Sequence, residues 1–119
     1  MKRLGFNTLR KHIKIEPELF YYACDRLGMV GFQDMVNNGP YRYIRDTVLP
    51  TLGFQKKDDR RLHRDPVMRR QFRLAMEQTV EQLRKHPCIC YWTIFNEGWG
   101  QFDSQREYEF LKTLDDTRF

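Results

Sequence analysis

The chain reads as an α/β fold with parallel strands, and three observations carry that expectation. Strands and helices alternate along its 119 residues in the order β-α-β-α-β-α, and such alternation forces parallel strands joined by right-handed crossovers. Ile89 to Phe95 is apolar on both alternating faces and rich in β-formers, as a strand buried between two layers would be. The longest apolar helical stripe immediately precedes that strand. Two architectures are built this way, the open doubly wound sheet and the (β/α)8 barrel. A barrel needs eight units and about 250 residues. The pattern alone barely separates the two; on the barrel reading three units are a partial (β/α)8 barrel, whose outer strands would expose unpaired backbone edges open to self-association.

The elements follow in order. Phe6 to Lys11 has a short β-tending pattern, with Ile13 to Glu16 as its connection onward. Glu16-Pro17-Glu18 opens a helix with proline in the first turn and acids near the N-terminus, and Leu19, Phe20, Ala23, Cys24 and Leu27 recur at helical spacing. Gly28 stops it. Met29 to Asp34 is a second strand, bounded by Gly28 and the turn signal Asn37-Asn38-Gly39-Pro40. Val36 to Arg64 has no sustained period; its aromatics suggest packing, and Lys56 to Arg61 reads as a solvated mixed-charge stretch. Asp65 as N-cap and Pro66 in the first turn open the longest helix, with Met68, Phe72, Ala75, Met76, Val80 and Leu83 on one face. It stops near His86-Pro87, and the core strand Ile89 to Phe95 follows. Ser104 and Glu107 form a capping-box pattern opening a last helix through Tyr108, Leu111 and Leu114.

Composition narrows the classes. The chain is 40% hydrophobic and 14% aromatic with 7 Gly and 5 Pro, which excludes collagen-like and low-complexity types and favours a single packed domain. The longest nearly apolar run, Cys88 to Phe95, falls far short of the roughly 20 residues a membrane helix needs, so no membrane partner is expected. Met1-Lys2-Arg3 looks like the start of a signal peptide, but Asn7, Arg10, Lys11 and His12 interrupt its apolar region. The net charge of +5 is only partly clustered. Cys24, Cys88 and Cys90 cannot all pair within the chain, and Cys-x-Cys without two further ligands falls short of a zinc site, so they read as buried thiols with no metal.

Glu97 follows directly from the buried strand, at the end where sites gather in either parallel architecture. Gly98 and Gly100 permit close backbone approach of a ligand, Trp99 offers a flat apolar face of the kind sugar rings or aromatic groups stack on, and Asn96 supplies a donor and an acceptor beside the acid. A carboxyl group against aromatic walls has its pKa raised, which suits a general acid.

The stretch Lys85 to Phe102, with His86-Pro87 leading into Tyr91-Trp92-Thr93-Ile94-Phe95-Asn96-Glu97-Gly98-Trp99-Gly100, resembles the fourth-strand signature of family 2 glycoside hydrolases. That family includes β-galactosidases, β-glucuronidases and β-mannosidases. Met1 to His12 is similar to the family's second barrel strand, and Cys24-Asp25-Arg26-Leu27-Gly28-Met29 to its second helix entering strand three. The resemblance implies that residues 1 to 119 are an internal part of one (β/α)8 catalytic domain of a retaining glycosidase acting on a carbohydrate substrate. Glu97 would be the general acid/base, and Asn96 would hydrogen-bond the sugar 2-hydroxyl. Arg10 matches an arginine beside the nucleophile and His12 a sugar-contacting histidine. Asp34 falls where the family lines its pocket, and Trp99 would form part of the wall. Retaining chemistry needs a second carboxylate about 5 to 5.5 Å from the first. In the family it ends strand seven, so the nucleophile is expected outside these residues and the isolated chain is expected to be inactive, with the remainder of the barrel as its partner. Gln33 to Gly39 lacks the acidic metal-binding pattern of some β-galactosidases, so no cofactor is expected.

Two other readings use the same residues. Trp99, Asn96 and His12 would also serve a carbohydrate-binding module without catalysis. Arg60, Arg61, Arg64, Arg69, Arg70 and Arg73 form a basic run, but several lie on a helix whose opposite stripe is core and no nucleic-acid motif accompanies them, so no nucleic-acid partner is expected.

Overall fold

Three parallel strands, β1 (Thr8–Lys11), β2 (Val30–Asp34) and β3 (Ile89–Thr93), form a sheet in the order β1-β2-β3. The computed structural model describes residues 1–36, 43–54, 59–60, 62–96 and 100–119. Helices α1 (Glu18–Leu27) and α3 (Pro66–Leu83) make the crossovers, and α4 (Ser104–Leu114) follows β3. This is the alternating α/β architecture expected of adjacent units of a partial barrel. The first strand is shorter than its sequence pattern, pairing from Thr8, with Phe6 exposed before it. The third ends at Thr93, two residues before Phe95.

Pairing is regular between β1 and β2, with Arg10 opposite Phe32. Between β2 and β3, Gly31 faces Ile89 while Phe32 faces Tyr91, so Cys90 is absorbed in a bulge. The bulge sets Ile89 and Trp92 on the same side as Gly31 and Gln33, against the helices, where both are buried. Gly31 is needed there, because a Cβ would meet the Cys88 carbonyl oxygen at 3.3 Å.

The expectation that Ile89 to Phe95 is buried on both faces does not hold within this chain. Helices cover one face only, and on the other Val30, Phe32 and Tyr91 remain more than a third exposed, the Phe32 and Tyr91 rings 5.3 Å apart. Double burial needs a second layer across the sheet.

The buried face of α1 also differs from its apolar stripe. Tyr21 and Cys24 point inward, while Leu19 and Leu27 are exposed. Tyr21 wins the inward position because its hydroxyl has partners there: it donates to Gln33 Oε1 at 2.7 Å and accepts from the Glu16 backbone N–H at 3.1 Å. Gly28 closes α1 in the left-handed conformation at φ 61°, as its place in the sequence indicates. Helix α3 starts as read, with Asp65 accepting from the Val67 N–H at 2.9 Å and Pro66 in the first turn. Its buried face holds Met68, Phe72, Met76, Val80 and Leu83, with Thr79 added and Ala75 only half-buried.

The long connection before α3 contains structure that its lack of period hid. A π-helical turn, Ile44–Val48, runs into α2 (Leu49–Thr51), which Gly53 ends at φ 85°. Tyr43 and Phe54 are exposed, so these two aromatics do not pack as expected; Tyr41, Lys56 and Arg61 lie outside the described residues.

The capping box at Ser104 and Glu107 is absent. Glu107 is buried and takes a forked pair from Arg73, whose Nη2 lies 2.7 Å from its Oε1, so it cannot turn back to the cap. Of the three thiols, Cys24 and Cys88 are buried and Cys90 is half-buried; burial pushes the Cys88 thiol up to about 12.

Behind the sheet, Asp115 joins the end of α4 to β3. Its carboxylate accepts from Trp92 Nε1 at 3.0 Å, Arg118 Nη1 at 2.6 Å and the Thr117 N–H at 3.0 Å. Burial alone would raise its pKa; the bonds from Thr117, Trp92 and Arg118 outweigh that and hold it well below the usual carboxylate range. A pKa depressed in the folded state contributes stability that is complete above the unfolded value of about 4 and is shed as pH falls toward the folded one. Asp115→Asn is expected to cost about 1 to 3 kcal/mol at pH 7 in urea unfolding and to flatten this acid-side loss.

Candidate functional site

Parallel strands bring their C-terminal ends to one edge of the sheet, and four polar residues meet there. Arg10 is the penultimate residue of β1, Asp34 the last of β2 and Thr93 the last of β3; Asn96 follows shortly after. Register places Asp34 opposite Thr93, with Arg10 across from Phe32, one side-chain repeat away on the same face.

Asp34 has no exposed surface. Arg10 grips it with both arms of the guanidinium fork, Nε to Oδ1 at 3.1 Å and Nη2 to Oδ2 at 3.1 Å. His12 Nδ1 lies 3.1 Å from Oδ2. The same Arg10 Nη2 donates to Asn96 Oδ1 in a short contact. Burial alone would push the Asp34 carboxyl up, but the Arg10 guanidinium, the Thr93 hydroxyl and the Asn96 amide beside it hold it below its usual range.

Asn96 is buried, and its oxygen is committed to Arg10. Its amide nitrogen, near enough to Asp34 to contribute to that lowering, has no hydrogen-bond partner among the described residues. A buried N–H without an acceptor costs about 1 to 3 kcal/mol.

Of the residues singled out in the sequence, Arg10, His12, Asp34 and Asn96 therefore come together, while Glu97 and Trp99 lie outside the described residues. Asp34 differs from its expected place on the pocket lining: its carboxylate sits beneath the surface, taken up by Arg10 and His12. Only His12 and Arg10 in this group present substantial exposed side chain.

The loops that carry these residues are fastened from behind. Gln33 Nε2 donates to the Lys14 carbonyl at 2.9 Å, and the Glu16 N–H bonds to Tyr21, so the segment after His12 is tied to β2 and α1. After β3, the chain is pinned to α3 by an aromatic cluster. Phe95 stacks on Phe72 at 5.1 Å, and Phe102, with no exposed surface, meets Phe72 and Phe95 edge-on at 5.5 and 5.3 Å. Arg69 lies 4.7 Å over Phe102 and donates to the carbonyls of Arg60, Leu62 and His63. Arg69 and Arg73 of the basic run are thus engaged within the fold. Thr93, Asp59 and the aromatic cluster were not legible as site residues; the phenylalanines looked like ordinary core.

Consecutive βα units with polar side chains gathered where parallel strands end define a segment of a barrel of the enzyme type. The chain belongs to glycosyl hydrolase family 2: the family's TIM barrel domain matches residues 1–119. It is similar to a beta-galactosidase of Yersinia enterocolitica serotype O:8 / biotype 1B, 32% identical over 120 residues that cover 99% of this chain and 10% of that protein. Beta-galactosidases of Yersinia pestis bv. Antiqua (strain Angola) and Yersinia pseudotuberculosis serotype O:1b match with the same identity and coverage. The chain spans about a tenth of the length of these curated relatives.

Arg10→Met leaves Asp34 buried without its cation. Burial then wins, and the folded pKa of Asp34 moves above the unfolded value. The variant is expected to lose about 3 to 5 kcal/mol at pH 7 and to recover stability as pH falls and the carboxyl protonates, opposite to the dependence Asp34 contributes in the parent; urea unfolding across pH reads both.

Proposed function

We propose that this chain supplies the acid/base half of a retaining glycosidase site of the β-galactosidase type, as part of one TIM-barrel catalytic domain. The observation that carries the reading is the buried Asn96 amide nitrogen, without a hydrogen-bond partner among the described residues, at the C-terminal edge of the sheet and immediately before Glu97 in sequence. A sugar hydroxyl is the acceptor such a donor lacks. In this reading Asn96 donates to the 2-hydroxyl, an interaction that strengthens in the transition state. Asp34 orients Arg10, and Arg10 orients Asn96; Arg10 itself stands beside the nucleophile, His12 contacts the sugar and Trp99 contributes a wall.

In the first step Glu97 donates its proton to the glycosidic oxygen while a carboxylate outside these residues attacks the anomeric carbon. The bond to the leaving group breaks, the alcohol departs, and a glycosyl ester remains on the nucleophile. In the second step Glu97, now ionised, takes a proton from water as the water attacks the same carbon and releases the carboxylate. The uncovered face with Val30, Phe32 and Tyr91 is where the remaining barrel strands would pack. Continuation of the sheet past β3 is supported by the Trp92 N–H, which donates to the Phe119 carbonyl at 2.8 Å.

The test uses the complete protein with glycosides of two leaving-group types. Glu97→Gln is expected to lower kcat/KM for an alkyl glycoside by about 100-fold or more, because a poor leaving group needs the proton. A dinitrophenyl glycoside leaves without one and should be affected far less. Equal effects on both substrates would contradict the acid role; sugar binding without turnover in the parent would leave a binding module instead.

A further inference from the structure

Asp59 belongs to the connection between β2 and α3, yet its carboxylate is built into the start of α4. Its Oδ2 accepts from Gln101 Nε2 at 3.0 Å, from the Ser104 N–H at 3.0 Å and from the Ser104 hydroxyl in a short bond. Its carbonyl accepts from the Asp103 N–H at 3.2 Å. Asp103, the local N-cap residue, adopts φ 40° and makes no side-chain cap bond, so Asp59, 45 positions before Ser104, does the capping. A carboxylate there also complements the positive end of the helix. Burial would raise the Asp59 carboxyl, and the bonds from Ser104 and Gln101 hold it lower. Its own segment is fixed by Arg69, which grips the carbonyls of Arg60, Leu62 and His63.

The consequence lies in the loop between β3 and α4. One end is held by Phe95 on Phe72 and by Asn96 on Arg10. The other is held at Gln101, four positions after Glu97, and at Ser104. Without the Asp59 carboxylate the second anchor would keep, among the described residues, the packing of Phe102 and the bond from the Asp103 N–H to the Asp59 carbonyl. We propose that Asp59 is a positioning residue for the acid/base Glu97, acting by fixing the far end of its loop through Gln101 and Ser104. The inference rests on the assignment of Glu97 as acid/base. An error of about 1 Å in such a group costs up to about 100-fold, so a remote anchor of this kind has a measurable effect on the rate.

The experiment measures kcat/KM in the complete protein for an alkyl glycoside and a dinitrophenyl glycoside, with melting temperatures alongside. Asp59→Ala is expected to lower the alkyl value by about 10- to 100-fold and the dinitrophenyl value by less than about 3-fold. Asp59→Asn keeps one acceptor oxygen for the three donors and should stay within about 3-fold of the parent on both. Gln101→Ala removes the bonds from Gln101 Nε2 to Asp59 and to the Ser104 hydroxyl but leaves the Ser104 N–H on Asp59; it should show a smaller loss with the same selectivity, which serves if Asp59→Ala does not fold. A helix cap alone would lower the melting temperature and leave both substrates equally affected. Equal losses, or no loss, in Asp59→Ala and Gln101→Ala while Glu97→Gln is selective would overturn the positioning role and leave the acid/base assignment standing. A non-selective Glu97→Gln would remove that assignment, and this inference with it.

Discussion

A fully buried carboxylate at the end of the middle strand is the constraint around which the site is arranged. Asp34 cannot remain ionised in that position without compensation, because removing a carboxylate from water costs several kcal/mol even after relaxation. The forked Arg10 contact meets that cost, and it does so across two strands whose register already places them together. The second Nη2 hydrogen of Arg10 goes to Asn96 after the third strand. One ion pair therefore determines where an amide from a different βα unit points. The arrangement needs parallel strands: in an antiparallel pair, neighbouring strand ends would lie at opposite edges of the sheet.

That geometry was partly legible in the sequence. Asn96 and Glu97 could be placed at a strand end because the apolar run before them is long and abruptly ends in polar residues. Arg10 and Asp34 stood at the ends of two more β-tending runs. The place of Asn96 beside them is not visible, since the register of β3 on β2 depends on the bulge at Cys90, and nothing in a string of apolar residues marks which one will be absorbed. The place of Asp34 on the pocket lining is what the family resemblance implies; its burial depends on the Arg10 guanidinium, which the sequence does not put beside it.

Other differences share a cause, which is that polar side chains took distant partners over local ones. The Ser104 and Glu107 pair has the spacing of a local cap, but Arg73 claims Glu107 and Asp59 claims Ser104. Tyr21 displaced the aliphatic stripe of α1 because Gln33 offered its hydroxyl a bond that leucine cannot make. In contrast, Asp65-Pro66 and Gly28 act within a few residues of themselves, and both were correct as read. Local backbone signals survived into the fold, whereas side-chain pairings between elements far apart in sequence had to be seen in three dimensions.

The role proposed for the Asn96 amide nitrogen, which has no hydrogen-bond partner among the described residues, is tested by a cycle in the complete protein. The quantities are kcat/KM of the parent and of Asn96→Ala on a β-galactoside and on its 2-deoxy counterpart. If Asn96 donates to the 2-hydroxyl, the substitution is costly on the hydroxylated substrate and nearly silent on the deoxy one. The same loss on both would mean that this nitrogen does not meet the sugar there, and would contradict the account.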